Sequence, residues 1–349
     1  MYRNTYALIN TTNIKKNVES IIQRYNNYPS YFGVVKADCY GHNGRRVIDA
    51  IIDGGCNYLC VSSLDEGMNI RKFNKTIPIL CLGIINPKYM NVCIKNNITI
   101  TISSLSYLKS IIKYSGLKAH LKINTGMNRL GINDKNECLD IINMINNSKI
   151  YLEGIYTHMY DAMDDNINNA QIALFEEITS LIDLSLIPIV HIGASDATMM
   201  IEKRKYANGC RLGICMYGLG DYKEDYLLST FSLISEVIQI NNIKSGTLGY
   251  SGKYKCDNST IAVVPIGYAD GIIRKNTGRY VYINDKKYPI VGNICMDMLF
   301  VKVDDSINVG DAVVLLKDND HIMEVAKHLD TICYEVICNI GKRIPRIYE

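Results

Sequence analysis

The stretch "FGVVKADCYGHNG" at residues 32–44 passes from an apolar run into a polar turn. The valines favour a β-strand, whereas Gly41 and Gly44 favour a loop, so Lys36 lies where a buried strand ends. A lysine in that position is costly unless its charge is used or its pKa is lowered. The stretch therefore predicts a buried strand followed by a turn that carries chemistry.

Seven further segments of the same kind follow along the chain. They are "NYLCVS" at 57, "IPILCLG" at 77, "ITITIS" at 98, "AHLKIN" at 119, "YLEGIYTH" at 151, "IPIVHIGA" at 187 and "CRLGICMYG" at 210. Stretches with helical periodicity lie between them, for example "NAQIALFEEITSLIDLS". Eight short apolar strands separated by helix-length sequence predict an α/β fold, a (β/α)8 TIM-like barrel with a buried parallel sheet.

The pattern changes after about residue 225. Segments such as "STIAVVPIGYADG" and "RYVYINDKKYPIVG" read as strands joined by short turns, with little helix before about residue 319. We therefore predict two domains, a barrel at residues 1–225 and a C-terminal, mostly β-strand domain at 226–349. The first ten or so residues are candidates to join the second domain.

Composition excludes several classes of protein. The chain has 349 residues, 48% of them hydrophobic, and a formal charge of +3 without long runs of one sign. This balance gives no reason to expect nucleic acid or a membrane surface as a partner. The N-terminus lacks a signal-peptide pattern, and the 12 cysteines are scattered without a CxxC pair, which indicates reduced thiols in a cytoplasmic protein. The six histidines lack the spacing of a metal site.

Candidate functional residues follow the predicted barrel strands. Lys36, His158 and Ser195 come at strand ends, and Arg211 lies in the eighth strand. Functional groups of such barrels gather at the carboxyl ends of the strands. A desolvated lysine there suits a Schiff base, and backbone N–H groups at Gly213 and the following Ile214 suit a phosphate, a pair that points to pyridoxal phosphate. A lone strand-end lysine is more often a surface residue whose amine reaches solvent.

Eight blocks of the sequence resemble the alanine racemase family, in family order. They are "VVKADCYGHNG", "KINTGMNRLGI", "THMYDAMDD", "HIGASDA", "CRLGICMYGL", "VPIGYADGIIR", "VGNICMDM" and "GKRIPRIY". The opening "RNTYALINTTNIKKNV" is also similar to the family's start. The resemblance spans nearly the whole chain. It implies a pyridoxal 5'-phosphate enzyme that interconverts L- and D-alanine and supplies D-alanine for peptidoglycan.

The resemblance also implies roles for the reacting groups. Lys36 would carry the cofactor as an aldimine and act as one acid/base group. Tyr250, in "GTLGYSG", would be the other, offered by the partner subunit of a homodimer with shared active sites. Removing a proton from one face of a carbon and returning one to the other requires two such groups. Without the resemblance, Tyr250 reads as one core tyrosine among 25.

Further roles concern binding. The resemblance implies that the cofactor phosphate is held by Tyr40, Ser195, Gly213, Ile214 and Lys342. It also implies that Arg211, supported by His158, faces the ring nitrogen of the cofactor. Arg129 would contact the substrate carboxylate together with Met296 of the partner subunit. Lys122 matches a position that is carbamylated in some relatives, although a charge-balancing lysine is an equal alternative.

Three positions depart from the family pattern. Ala194 stands where asparagine is usual, Asn124 replaces an aspartate, and Lys342 stands where many relatives carry tyrosine. Racemase domains acting on serine also vary at that last position, so a serine or broad-specificity racemase is the alternative. A decarboxylase with barrel and β domain is disfavoured by the "KINTGMNRLGI" and "VGNICMDM" blocks. A single-barrel pyridoxal phosphate carrier is disfavoured by the β domain.

Overall fold

The chain folds into two compact units. The computed structural model describes residues 2–221 and 224–349. One unit comprises Ile14–Cys39 and Val47–Leu227, and the other comprises the residues through Asn13, Tyr40–Arg46 and Leu228–Glu349. We call them the barrel unit and the β unit. The predicted (β/α)8 barrel and mostly β C-terminal domain are both confirmed.

The barrel unit is built on a closed ring of eight parallel strands in chain order. They are β2 (Ser30–Val34), β3 (Tyr58–Val61), β4 (Ile79–Cys81), β5 (Ile98–Ile102), β6 (Lys118–Lys122), β7 (Tyr151–Tyr156), β8 (Ile189–Ala194) and β9 (Gly209–Leu212). Pairing of β2 with β9 closes the ring. Strands β3, β4 and β5 are runs of apolar and β-branched residues that are buried on both faces of the sheet, whereas β6, β7 and β9 also carry polar side chains.

Helices separate the barrel strands. The α-helices are Thr11–Arg24, Arg45–Asp53, Leu64–Arg71, Met90–Lys95, Leu105–Ile111, Lys135–Asn146, Asp165–Ile178 and Asp196–Met200, and the 3₁₀ helices are Pro87–Tyr89, Leu184–Leu186 and Ile214–Tyr217. Their starts follow sequence signals: the Asp134 carboxylate accepts hydrogen bonds from the N–H groups of Asn136 and Glu137. Asp164 caps the helix after β7 in the same way.

The β unit contains a nine-stranded sheet in the order β11-β12-β15-β14-β13-β16-β10-β1-β17. The strands are β1 (Tyr6–Ile9), β10 (Phe231–Glu236), β11 (Gln239–Leu248), β12 (Tyr254–Val264), β13 (Tyr280–Ile283), β14 (Lys286–Val291), β15 (Leu299–Val303), β16 (Ala312–Leu316) and β17 (Arg346–Tyr348). Its helices are the α-helices Asn319–Leu329 and Cys333–Cys338 and the 3₁₀ helices Tyr250–Gly252, Tyr268–Asp270 and Arg274–Asn276.

Two short pieces from early in the chain belong to the β unit. Strand β1 pairs antiparallel with β10 and parallel with β17, which ties the N-terminus to this sheet. The segment Tyr40–Arg46, which the sequence placed in the barrel, also clusters here. In this segment, His42 Nε2 lies 2.9 Å from Thr230 Oγ1. The Gly41 carbonyl accepts a hydrogen bond of 3.1 Å from Arg346. These partners are distant in sequence, so local patterns do not reveal the pairing.

Two further properties of the described residues are relevant to function. In this part of the chain, every helix is too short or too polar to cross a lipid bilayer. All twelve cysteines are free, and ten of them are buried. Burial raises the pKa of several of these thiols, Cys60 among them to about 12, so they are protonated core residues.

Candidate active site

Lys36 follows the first barrel strand at a sharp change of backbone direction. Strand β2 ends at Val34, and the three residues after Lys36 have φ of 51°, 55° and 55°. Left-handed backbone of this kind is rare outside glycine and is strained. The Ala37 N–H donates a 2.7 Å hydrogen bond to the Glu66 carboxylate, which also accepts from Ser62. The Glu66 carboxylate thus links the turn after Lys36 to Ser62, which follows the neighbouring strand β3.

Arg211 is buried in the last barrel strand, with 2% of its surface exposed. Its Nη1 lies 2.6 Å from His191 Nδ1, and its Nη2 donates to the carbonyl of Thr157 at 2.7 Å. The guanidinium plane also lies over the Tyr156 ring, 5.2 Å from its centroid. These contacts hold a permanent positive charge in one orientation at the carboxyl end of the barrel.

Ser195 and Gly213 meet where β8 and β9 end. Ser195 Oγ accepts a 3.1 Å hydrogen bond from the Gly213 N–H, and the Ser195 N–H donates to the Arg211 carbonyl at 2.9 Å. Ser195 has φ 41°, a strained value for a residue with a side chain. Ile214 begins a 3₁₀ helix here, where the first N–H groups lack partners within the helix. This cluster of hydroxyl and N–H donors suits an anionic oxygen group.

His158 lies among positive charges. Its Nδ1 is 3.5 Å from Arg211 Nη2. Burial lowers the pKa of His158 to about 2, and the charges of Arg211, Lys122, Arg129 and Lys36 act in the same direction. The imidazole is therefore neutral at physiological pH. Two guanidinium groups and two lysine amines that act on one side chain make this end of the barrel basic, which suits a ligand with negative charge. The sequence placed His158 at the end of β7, whereas the strand ends at Tyr156.

Lys122 is the second buried cation of this end of the barrel, with 6% of its surface exposed. Its Nζ donates a 2.9 Å hydrogen bond to the Ile123 carbonyl and lies 5.1 Å from the centroid of the Tyr156 ring. Burial, followed by the charges of Arg211 and Arg129, brings the pKa of Lys122 well below its usual range. The neutral, nucleophilic form of this amine is thus more accessible than in an exposed lysine.

The loop after β6 carries Arg129 and is shaped by Asn124. Asn124 Oδ1 accepts from the N–H groups of Gly126 and Asn128 at 3.2 and 2.9 Å, and its amide donates to Asn128 Oδ1 at 3.0 Å. Arg129 itself is exposed in the chain described here. The Asn124 side-chain oxygen therefore accepts the same N–H hydrogen bonds that an aspartate oxygen would accept. Unlike an aspartate, it adds no negative charge to the loop that carries Arg129.

The remaining predicted residues lie in the β unit. Tyr250 and Met296 expose 72% and 52% of their surfaces, and Lys342 is also exposed. Tyr40 is buried, with its ring centroid 5.9 Å from that of Tyr334. The structure thus brings Arg211, His158, Ser195, Gly213 and Lys122 together within the barrel unit and places Tyr250, Met296, Lys342 and Tyr40 in the other unit. Among the described residues, no group of His, Cys, Asp and Glu is arranged to hold a metal ion.

Comparison with known proteins identifies the family. The model of the alanine racemase N-terminal domain matches residues 9–221, and that of the C-terminal domain matches residues 230–348. The chain belongs to the alanine racemase family. The resemblance stated from the sequence blocks is therefore confirmed, and with it the expectation of an isomerase.

Individual alanine racemases are similar over their full length. Alanine racemase of Ligilactobacillus salivarius (strain UCC118) is 34% identical over 369 residues, covering 100% of this chain and 99% of that protein. The crystal structure of alanine racemase from E. faecalis has a TM-score of 0.94 at 31% identity, covering 100% of this chain and 99% of that one. A histidine racemase from Leuconostoc mesenteroides subsp. sake NBRC 102480 matches with a TM-score of 0.88, covering 100% of this chain and 98% of that one, at 21% identity, which shows the fold alone.

Sequence reasoning missed three polar side chains inside the barrel, His120, His191 and Glu153. His191 contacts Arg211 directly, and His120 and Glu153 continue the line of polar groups away from it. A signal was present, because each histidine lies within an apolar strand, in "AHLKIN" and "IPIVHIGA". A polar residue buried in a strand needs a partner, but the partner's identity depends on the barrel.

Proposed function

We propose that this chain is a pyridoxal phosphate-dependent racemase that interconverts L- and D-alanine by a two-base mechanism. The observation that carries the proposal is the buried Arg211, held by His191 and Thr157 in a barrel end that also carries Lys36. Alanine racemases 31–34% identical over nearly the whole chain support alanine as the substrate.

The donors of the barrel end fit this cofactor. Ser195 Oγ and the N–H groups of Gly213 and Ile214 would hold the phosphate. The phosphate roles that the family resemblance implies for Tyr40 and Lys342 stay predictions. Lys36 would form the covalent link through its amine. When bound, pyridoxal phosphate supplies a conjugated ring that takes up the electron pair left on the substrate α-carbon after proton removal.

Arg211 would face the ring nitrogen and limit side reactions. A guanidinium only donates hydrogen bonds and keeps its proton, so the nitrogen opposite it stays unprotonated. His158, neutral and 3.5 Å from the same guanidinium, would help to orient Arg211. The result is a weaker electron sink, which favours reprotonation of the α-carbon over transamination.

Proton transfer would use two different groups on opposite faces of the α-carbon. Lys36 would serve the face from which D-alanine loses its proton, and Tyr250 of the partner subunit would serve the other. The exposure of Tyr250 and Met296 supports a site completed by a second copy of the chain in a homodimer. Arg129 and a backbone N–H at Met296 would hold the substrate carboxylate.

Lys122 would carry a carbamate. The neutral amine of Lys122, which its lowered pKa favours, would form a bond to the carbon of carbon dioxide and release one proton to solvent. The product would place one negative charge among Arg211, Arg129 and Lys36, and it would orient Arg129 for the substrate. This supports modification over a simple charge-balancing role.

A serine or broad-specificity racemase is the second candidate, favoured by Lys342 where many relatives have tyrosine. The similar histidine racemase also indicates that the fold by itself does not select alanine. For an alanine racemase we further propose a cytoplasmic enzyme whose product supplies peptidoglycan precursors.

Two measurements test these proposals. Borohydride reduction with pyridoxal phosphate, followed by peptide mapping, is expected to label Lys36; the Lys122→Ala variant should be labelled at the same lysine. A label on another lysine contradicts the cofactor assignment. Chiral chromatography after incubation with L-alanine and L-serine should detect D-alanine as the main product. Equal or greater yield of D-serine would favour the second candidate.

A further inference from the structure

Arg211 is a buried cation whose neighbours are mostly carbonyl groups. Besides the Thr157 carbonyl, its guanidinium donates to those of His191 at 3.1 Å and Ile192 at 3.3 Å. Its other partners in the described chain are the imidazoles of His191 and His158 rather than a carboxylate. A buried charge is costly unless an opposite charge or a set of dipoles balances it.

A line of polar side chains leads from Arg211 to a carboxylate. His191 Nε2 lies 2.9 Å from His120 Nδ1, and His120 Nε2 lies 3.4 Å from Glu153 Oε2. Both imidazoles are fully buried. Burial, followed by the charge of Arg211, lowers the pKa of His191. Burial also lowers the pKa of His120, and it outweighs the opposing effect of the Glu153 carboxylate, so both rings are neutral at physiological pH.

The position of every proton on this line follows from its two ends. A guanidinium can only donate, so His191 Nδ1 must accept and the neutral ring carries its proton on Nε2. That N–H donates to His120 Nδ1, which leaves the proton of His120 on Nε2. This N–H lies 3.4 Å from the Glu153 carboxylate, an electrostatic contact rather than a hydrogen bond of good geometry. The donors therefore all point from Arg211 toward Glu153.

The strands are shaped to build this line. Ala119 pairs with Leu152 and His120 with Gly154, so Glu153 is the extra residue of a β-bulge in β7. A Cβ on Gly154 would lie 2.5 Å from His120 Cε1, so only glycine leaves room for this ring. Such a bulge re-aims a side chain that a regular strand would direct elsewhere.

Glu153 is itself held as an anion. It accepts hydrogen bonds from the hydroxyls of Tyr58 and, at 2.9 Å, Thr99, and Lys118 Nζ lies 3.6 Å away. Burial raises the pKa of Glu153, but the nearby His120 imidazole and the hydrogen bonds from Tyr58 and Thr99 outweigh it and bring the pKa to about 2. The carboxylate therefore supplies a fixed negative charge at the far end of the line.

We propose that Glu153 is a positioning residue for Arg211, acting through His120 and His191. Arg211 selects the Nε2-protonated tautomers from one end of the line, and the negative charge of Glu153 favours the same tautomers from the other end, so that His191 presents a lone pair to the guanidinium. A proton on His191 Nδ1 would repel the Arg211 guanidinium and break the 2.6 Å contact that orients it. This inference deepens the proposed function, since it rests on Arg211 facing the cofactor ring, but the tautomers themselves do not depend on it.

The first experiment is nitrogen NMR on the full-length chain as purified, with ¹⁵N-labelled histidine. The side-chain signals are assigned with His120→Gln and His191→Gln variants. We expect His120 and His191 to be neutral with the proton on Nε2 alone. A proton on Nδ1 of His191, or a charged ring at either position, overturns the proposal without any need for a Glu153 variant.

The second experiment compares Glu153→Gln with Lys118→Met, which removes another charged partner of the same carboxylate. A neutral amide can turn either its oxygen or its nitrogen to His120, so Glu153→Gln should mix the tautomers of both rings. Its kcat should fall about 10- to 100-fold, with a smaller change in KM, as when outer partners of orienting histidines are lost. Lys118→Met should keep both tautomers and a kcat within about twofold of the parent.

The outcomes separate this proposal from the proposed function. Unchanged tautomers in Glu153→Gln, or an equal loss of kcat in Lys118→Met, overturn the positioning role. Failure of borohydride to label Lys36 would instead contradict the cofactor assignment and leave the tautomer result standing. Circular dichroism confirms that each variant is folded, and the unsubstituted chain still decides the tautomers if Glu153→Gln does not fold.

Discussion

Two charged candidate residues at the end of the barrel are buried, whereas two candidate residues of the β unit are exposed. In the barrel, Arg211 and Lys122 are buried to 2% and 6% exposure, and each is held by hydrogen bonds from its own unit. In the β unit, Tyr250 and Met296 are exposed by 72% and 52%. The barrel therefore orients its charged groups by itself, whereas most of the surface of Tyr250 and about half of that of Met296 are open to solvent in one chain.

This difference agrees with different roles for the two units in the proposed function, cofactor binding for the barrel and completion of a partner's site for the β unit. Burial in low dielectric makes charges strong and lowers the pKa of lysine, as at Lys122, so the barrel suits cofactor binding. An exposed tyrosine gains its function only when another surface covers it and excludes water. Closed symmetric dimers provide such a surface, because each copy offers the same patch to the other.

The largest expected effect comes from removing Lys36 from the barrel end. Lys36→Ala should lose about 10⁴-fold or more in kcat, since one lysine serves as cofactor attachment and as acid/base group. Mixing Lys36→Ala chains with Tyr250→Phe chains should restore about a quarter of the parent activity, because half of the dimers are hybrids with one complete site.

The matched control is a mixture of Lys36→Ala with Lys36→Ala chains carrying a second tag. That mixture should stay inactive, and mass spectrometry of the two tags shows that mixed dimers form. Mixed dimers of Lys36→Ala and Tyr250→Phe without recovered activity would mean that the sites are not shared.

A smaller effect is expected from Tyr250→Phe alone. Abstraction of the α-proton from L-alanine should lose its general base, a loss of about 10²–10⁴-fold. In D₂O, NMR should show solvent deuterium entering D-alanine, through Lys36, faster than L-alanine. Tyr280→Phe, at another exposed tyrosine of the β unit, should exchange both enantiomers at the parent rate. Equal exchange at parent speed in Tyr250→Phe would rule out this tyrosine as the second base.

The smallest effect concerns stability against pH in the barrel. Burial, then Arg211, lowers the pKa of His158 from 6.5 to about 2, so the folded chain keeps this ring neutral while the unfolded chain protonates it. The unfolded state then binds more protons below about pH 6.5, and the free energy of unfolding falls as pH falls, by about 1.4 kcal/mol per pH unit for this group.

Urea denaturation between about pH 6.5 and pH 4.5 measures this slope. His158→Gln should make the slope shallower by the contribution of one group. His328→Gln, the same substitution at an exposed histidine of the β unit, is the control. An identical slope in His158→Gln and the parent would show that His158 is not held neutral in the folded chain.

Much of the fold was predictable from local pattern. Each barrel strand is a short run of apolar and β-branched residues, and a helix-length segment follows it, so burial and connection length together indicate a closed parallel barrel. The predicted strand-end residues Ser195 and Arg211 do meet, because parallel strands bring their carboxyl ends to one side of the sheet. The resemblance to family blocks then assigned roles to Lys122 and Arg129. Their positions in a strand and a loop do not by themselves indicate a function.

The sequence by itself determined the barrel, the β domain and the family, because these depend on periodicity and on residues close together in the chain. Only the tertiary structure decided that Tyr40–Arg46 clusters with the β unit and that His158 lies beyond the end of its strand. The line from Arg211 to Glu153 also depended on it. A bulge changes the face of one residue without changing the sequence pattern, and its partners come from other strands that only the closed barrel brings near.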